Sequence, residues 1–142
     1  MSLLKEVLRI SDWLKDNGNR DEYGESCHCF INGKDDPYER FATELQIDGA
    51  SERLMVGYYQ DVNGDLVPNP EIYFHLSCES GSPQIVTVAF GTMLESPFRY
   101  SGQNIPKEDA KYLTDFCRTI FSRHLEPRSG SPMEELVAES EF

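Results

Sequence analysis

The segment LMVGYYQDVNGDLVPNPEIYFHL, residues 54–76, decides the fold. Leu54, Val56 and Tyr58 alternate with Met55 and Tyr59, and Ile72, Phe74 and Leu76 alternate with Tyr73 and His75. This period of two marks half-buried strands. Between the runs stands Asn63-Gly64-Asp65, whose first two residues tolerate positive φ and suit a chain reversal. Pro68 and Pro70 bracket Asn69 and each removes a donor, so the expected connection is a broad, partly unpaired hairpin.

The same periodicity extends outward. Phe41, Thr43, Leu45 and Ile47 alternate with Ala42, Glu44 and Gln46 and predict another strand. Gln84 to Phe90 is apolar on both sides and reads as a central strand, with a short further strand around Phe98 to Tyr100. Residues 19–39, interrupted by Gly24, Asn32-Gly33 and Asp35-Asp36-Pro37, read as loop, with Phe30-Ile31 a short edge strand.

Helical spacing governs the two ends. Leu4, Val7, Leu8, Ser11 and Leu14 make one stripe over residues 2–16, with Ser2 as cap and Asn17-Gly18 as a left-handed stop. Residues 106–125 place Tyr112, Leu113, Phe116, Cys117, Ile120 and Phe121 on a second stripe. Pro106, Glu108 and Asp109 suit its start, and Arg118, Arg123 and His124 its end. The expected fold class is α+β: an antiparallel sheet of about four to five strands packed with an N-terminal and a C-terminal helix. One domain is expected over residues 1–126, and 127–142 reads as a flexible acidic tail.

A hydrophobic fraction of 39% with 11% aromatics is too rich for a disordered chain. No apolar run reaches the roughly 20 residues that span a bilayer, and Lys5, Glu6 and Arg9 interrupt the first segment, so no membrane contact and a cytoplasmic location are expected. Cys27, Cys29, Cys78 and Cys117 are then expected as reduced thiols. With 25 acidic and 13 basic side chains the net charge is −12, which argues against direct nucleic-acid binding and for a basic or neutral protein surface as partner. Residues 16–61 hold 11 acids against 4 bases, while residues 106–126 hold 4 of each. The acidity therefore belongs to the first half of the chain, and its candidate interface residues are Asp35, Asp36, Glu44, Asp48, Glu52, Asp61, Asp65 and Glu71.

Catalytic chemistry has weaker support. Cys27, Cys29, His75 and Cys78 carry metal-ligand types, but Cys-x-Cys is tight for a structural zinc half-site, and His75 and Cys78 are expected on opposite faces of one strand. A Cys27 or Cys29 nucleophile beside His75 has no local signature, and neither a glycine-rich phosphate loop nor a Gly-x-Ser-x-Gly elbow occurs. The oxygen ligands of Asp61, Asp65 and Glu71 lack the alternation of a calcium loop, so no cofactor is expected. Asp65, Glu71 and His75 leave a small metal-dependent hydrolase as an alternative. The aromatics Tyr58, Tyr59, Tyr73 and Phe74 read as core or interface in the absence of a basic groove.

The run from Tyr58 to Phe74, with Asn63-Gly64-Asp65, a short apolar step, Pro70-Glu71 and an apolar-aromatic strand, resembles the signature of a small uncharacterised protein family of bacterial phages, plasmids and integrative elements. The resemblance implies a mobile-element setting and no activity. The leading expectation is an acidic binding module, sharpened to an inhibitor of a basic nucleic-acid-binding host protein or defence system. The other alternative is a structural domain forming homo-oligomers through exposed aromatics.

Overall fold

Residues 2–31, 40–63, 65–92 and 95–129 are described by the computed structural model, with backbone alone at 2, 60–62, 65–69, 90–92 and 95–99. Helix α1 (Ser2–Asn17) leads into strands β1 (Asn19–Arg20), β2 (Ser26–Ile31), β3 (Phe41–Asp48), β4 (Ser51–Val62), β5 (Asp65–Ser77), β6 (Gln84–Thr92) and β7 (Glu95–Ser101), and helix α2 (Lys107–Ile120) follows. The strands form one antiparallel meander in chain order. The α+β class holds, with seven strands rather than four or five.

The alternation in the deciding segment sets the core. Leu54 and Val56 of β4 and Ile72, Phe74 and Leu76 of β5 are fully buried, together with Phe41 and Leu45 of β3 and Val88 of β6. Both helices pack on this one face, α1 through Val7, Ile10 and Leu14 and α2 through Leu113, Cys117 and Ile120. Burial at this face supplies most of the driving force, at roughly 25 cal/mol per Å² of apolar area. Between the helices Glu6 is almost fully buried, and its carboxylate accepts from Arg9 at 2.7 Å and Arg118 at 3.5 Å. A buried charge of this kind persists only when paired.

Four sequence expectations are corrected by the pairing. Residues 26–31 form a full strand inside the sheet, and their inward residues are Cys27, Cys29 and Ile31. Two small thiols replace the branched side chains that normally advertise such a strand. Second, β6 is sixth of seven strands rather than central. A bulge between the pairs His75–Thr87 and Leu76–Ile85 leaves Val86 over, and Val86 is 45% exposed.

Third, the hairpin is tight. Val62 pairs with Asp65 across Asn63-Gly64, Asn63 has φ 54°, and the ladder continues through Tyr59–Pro68. The Tyr59 amide donates to the Arg40 carbonyl at 2.9 Å, so its polar groups face β3 and its pair with Pro68 needs no hydrogen bond. The Pro68 nitrogen points toward β6, whose described pairing with β5 begins only at Glu71. Asn69 and Pro70 fall in a bulge, where these two residues of β5 stand against Tyr58 alone of β4.

Fourth, Gly18 ends α1 without a positive φ. A Cβ there would stand 2.8 Å from the Leu14 carbonyl and 3.2 Å from that of His28, so glycine is needed for the close approach of the helix end to β2. At the other terminus α2 runs on into a π-helical turn, Phe121–Leu125, and a 3-10 turn, Glu126–Arg128. The Trp13 indole N–H donates to Ser129 Oγ at 2.9 Å, which ties this turn to α1. The rest of the acidic tail, from residue 130, lies outside the described residues.

Candidate functional site: the uncovered sheet face and the acidic end

The residues that alternate with the core form a second face, which neither helix covers. Strand register arranges it in three rows. The middle row runs His28, Glu44, Met55, Tyr73, Ala89. On one side lie Ser26, Gln46, Arg53, His75 and Thr87, and on the other Phe30, Ala42, Gly57 and Glu71.

Glu71 is the most constrained polar group on this face. Tyr59 Oη donates to its Oε2 at 2.9 Å and Tyr73 Oη donates to its Oε1. The Tyr59 ring reaches Glu71 by folding back over Gly57, where a Cβ would stand 3.3 Å from the phenol oxygen. Burial, reinforced by the hydrogen bond to Glu71 and its charge, raises the Tyr59 phenol far above its ordinary value and pushes Tyr73 up to about 12. Both therefore remain donors at neutral pH, and Glu71 is held as an oriented acceptor with lone pairs to spare.

One row-step on the other side of Tyr73 the charge reverses. The Arg53 guanidinium sits 5.4 Å from the Tyr73 ring centroid and donates to Gln46 Oε1 at 2.8 Å, and Gln46 in turn donates to Glu44 at 3.0 Å. His75 Nε2 and Ser51 Oγ share a hydrogen bond of 2.9 Å. Arg53, Tyr73, His75, Thr87 and Ala89 line a shallow cavity of about 470 Å³.

A separate feature occupies one end of the sheet. The Ile47 amide donates to the Glu25 carbonyl at 2.8 Å and the Cys78 amide to the Ala50 carbonyl at 2.8 Å, which brings together the turns before β2, before β4 and after β5. Lys15 Nζ meets Glu52 at 3.0 Å and adds the end of α1. Asp16, Asp21, Glu22, Glu25, Asp48 and Glu79 are all exposed here. Asp21 also shapes its turn, accepting from the amides of Glu25 at 2.7 Å and Ser26 at 3.2 Å.

The eight candidate interface acids are thus divided. Asp48 and Glu52 lie at the acidic end, Glu52 half-buried in its ion pair, while Glu44 and Glu71 belong to the uncovered face. Asp61 and Asp65 flank the hairpin tip at the opposite end, with side chains outside the description, and Asp35 and Asp36 lie outside the described residues. Asp65, Glu71 and His75 follow one another along β5; at about 3.3 Å per residue they are roughly 20 Å and 13 Å apart in turn. The strand does not bring these three together.

The thiols and His75 are also separated. Cys27 and Cys29 are buried on the helix side of the sheet, where burial raises the Cys27 thiol, and His75 is exposed on the other side. Cys78 lies just beyond β5 rather than on it. Among the described residues no group of three or more His, Cys, Asp or Glu could hold a metal ion.

Sequence reasoning missed His124. The sequence places it at the end of the second helix as a complement to the helix dipole; it is 3% exposed, stacked 4.8 Å from Phe41, with Nε2 2.8 Å from Tyr58 Oη. The π-helical turn, which no local sequence signal announces, rotates it inward. No described helix is long and apolar enough to cross a membrane. No family model matches the chain, and no curated protein or solved structure proved similar to it.

Proposed function

We propose that the protein is a binding module that engages a basic protein surface through the acidic end of its sheet. The observation that carries this reading is the gathering of Asp16, Asp21, Glu22, Glu25, Asp48 and Glu79, all exposed, around three adjoining turns. Of the basic groups bordering this end, Lys15 is turned to Glu52, Arg20 to the Lys15 carbonyl at 2.7 Å and Arg53 to Gln46 at 2.8 Å. A concentrated negative end steers a basic partner and fixes its orientation. The resemblance to a mobile-element family favours a host protein as that partner, and a nucleic-acid-binding protein presents the complementary charge in its phosphate groove. On this reading the module acts as an inhibitor by occupying that groove.

The test is affinity capture from bacterial lysate by the wild type and by the combined variant Glu22→Gln, Glu25→Gln, Asp48→Asn, which leaves the turn-shaping Asp21 in place. The wild type should enrich a basic nucleic-acid-binding protein, more strongly at low than at physiological ionic strength, and the variant should not. Equal capture by the two, or capture indifferent to salt, would defeat the reading.

A further inference from the structure

We infer that the uncovered sheet face is a homodimer contact, on which a second copy of the chain lays its own uncovered face about a two-fold axis perpendicular to the strands.

The reason is that the face is complementary to itself. Such an axis, lying over the middle row between two facing sheets, leaves each strand over its own counterpart and exchanges the two outer rows. On β5, Glu71 and His75 stand two residues to either side of Tyr73, so each His75 meets the partner's Glu71. On β4, Arg53 and Gly57 stand two residues to either side of Met55, so Arg53 lies over the Tyr59 ring that folds across the partner's Gly57, beside the partner's Glu71 and diagonal to its Glu44. The two Glu44 carboxylates nearest the axis are each thereby met by an arginine. Met55 and Tyr73 supply the apolar centre, and the cavity between Arg53, Tyr73, His75 and Thr87 receives the partner's Glu71.

Net charge does not oppose this arrangement as strongly as −12 suggests. The same rotation sends the two acidic ends to opposite sides of the dimer, well beyond the roughly 8 Å over which physiological salt lets charges act. It also leaves both ends open, so the dimer would present two copies of the surface assigned above to a basic partner. The face from β2 to β6 measures about 24 Å by 20 Å from strand and residue spacings. Two copies bury about 1,000 Å², the lower bound of specific interfaces, and the dimer is accordingly a weak, reversible one.

Sedimentation velocity of the full chain from micromolar to near-millimolar concentration, with charge-reversed variants, tests this inference. The wild type should convert from monomer to dimer. Glu71→Arg sets Arg against His75, and His75→Glu sets Glu against Glu71, so each alone should weaken the dimer by about tenfold or more. An equimolar mixture of the two variants restores one original pair and creates one reversed pair, and should return association to within about threefold of the wild type. His75 is exposed, so His75→Glu keeps the test open should Glu71→Arg fail to fold; alone it must still weaken association. A wild type monomeric throughout, singles that dimerise undiminished, or a mixture no better than either single would overturn the inference. So would a wild-type monomer that dimerises only once residues 130–142 are removed, since the tail would then be the occupant of the face.

Discussion

The two faces of the sheet are built from alternate residues of the same strands, yet they obey different chemistry. On the helix side Leu54, Val56, Ile72, Phe74 and Leu76 are fully buried, and each is held by shape alone. On the other side their neighbours Arg53, Met55, Glu71, Tyr73 and His75 are half-buried or exposed, and take part in hydrogen bonds and ring contacts with one another and with Gln46, Ser51 and Tyr59. The first face determines whether the chain folds. The second is free of that duty, and its regular spacing of an acid, an aromatic and a base is available for recognition.

The contrast breaks most visibly under truncation. Phe74→Ala should lower unfolding free energy by about 3–5 kcal/mol, because it leaves a cavity in the fully buried core. Tyr73→Ala, one residue away on the other face, should cost about 1 kcal/mol, mainly the bond to Glu71. Denaturant titration of both variants measures the difference, and similar losses would mean that the second face is also covered.

A smaller effect reports on the Glu71 cluster itself. Tyr73 has a folded-state value of about 12 against an ordinary 10.0, and Tyr59 is raised further. A group whose folded value is raised stabilises fully below its unfolded value and loses that contribution as pH rises through the folded one. Stability should therefore be unaffected by these phenols below pH 10 and fall between pH 10 and 12. Ultraviolet titration of the seven tyrosines should show at least two ionising late, and Glu71→Gln should bring them earlier. Uniform ionisation near the ordinary value would remove the oriented carboxylate from the site.

These faces were legible in the sequence to different degrees. Phe41-x-Thr43-x-Leu45, Leu54-x-Val56 and Ile72-x-Phe74-x-Leu76 disclose the core because burial selects apolar residues one by one. The pairing of Glu71 with Tyr59 and Tyr73 is not disclosed, since it depends on the register of β4 against β5 and on the absence of a side chain at Gly57. The prolines misled for a related reason: whether a missing N–H costs anything depends on which side of the ladder it faces, and for Pro68 that side is away from β4. Strand β2 was hidden by cysteines in the place of branched residues, and the exposure of Val86 by a bulge that no residue type signals. The excess of acid over residues 16–61 was countable, but its division between an end and a face required the turns to be placed together.

The division of the sheet into a sealed and an uncovered face is tested most directly by hydroxyl-radical footprinting of the dilute, monomeric protein, read by mass spectrometry. Met55, Tyr73 and His75 should be oxidised readily while Phe41, Phe74 and Leu76 remain protected until the protein unfolds. Protection of Met55, Tyr73 and His75 to the level of Phe74 in the native monomer would contradict it.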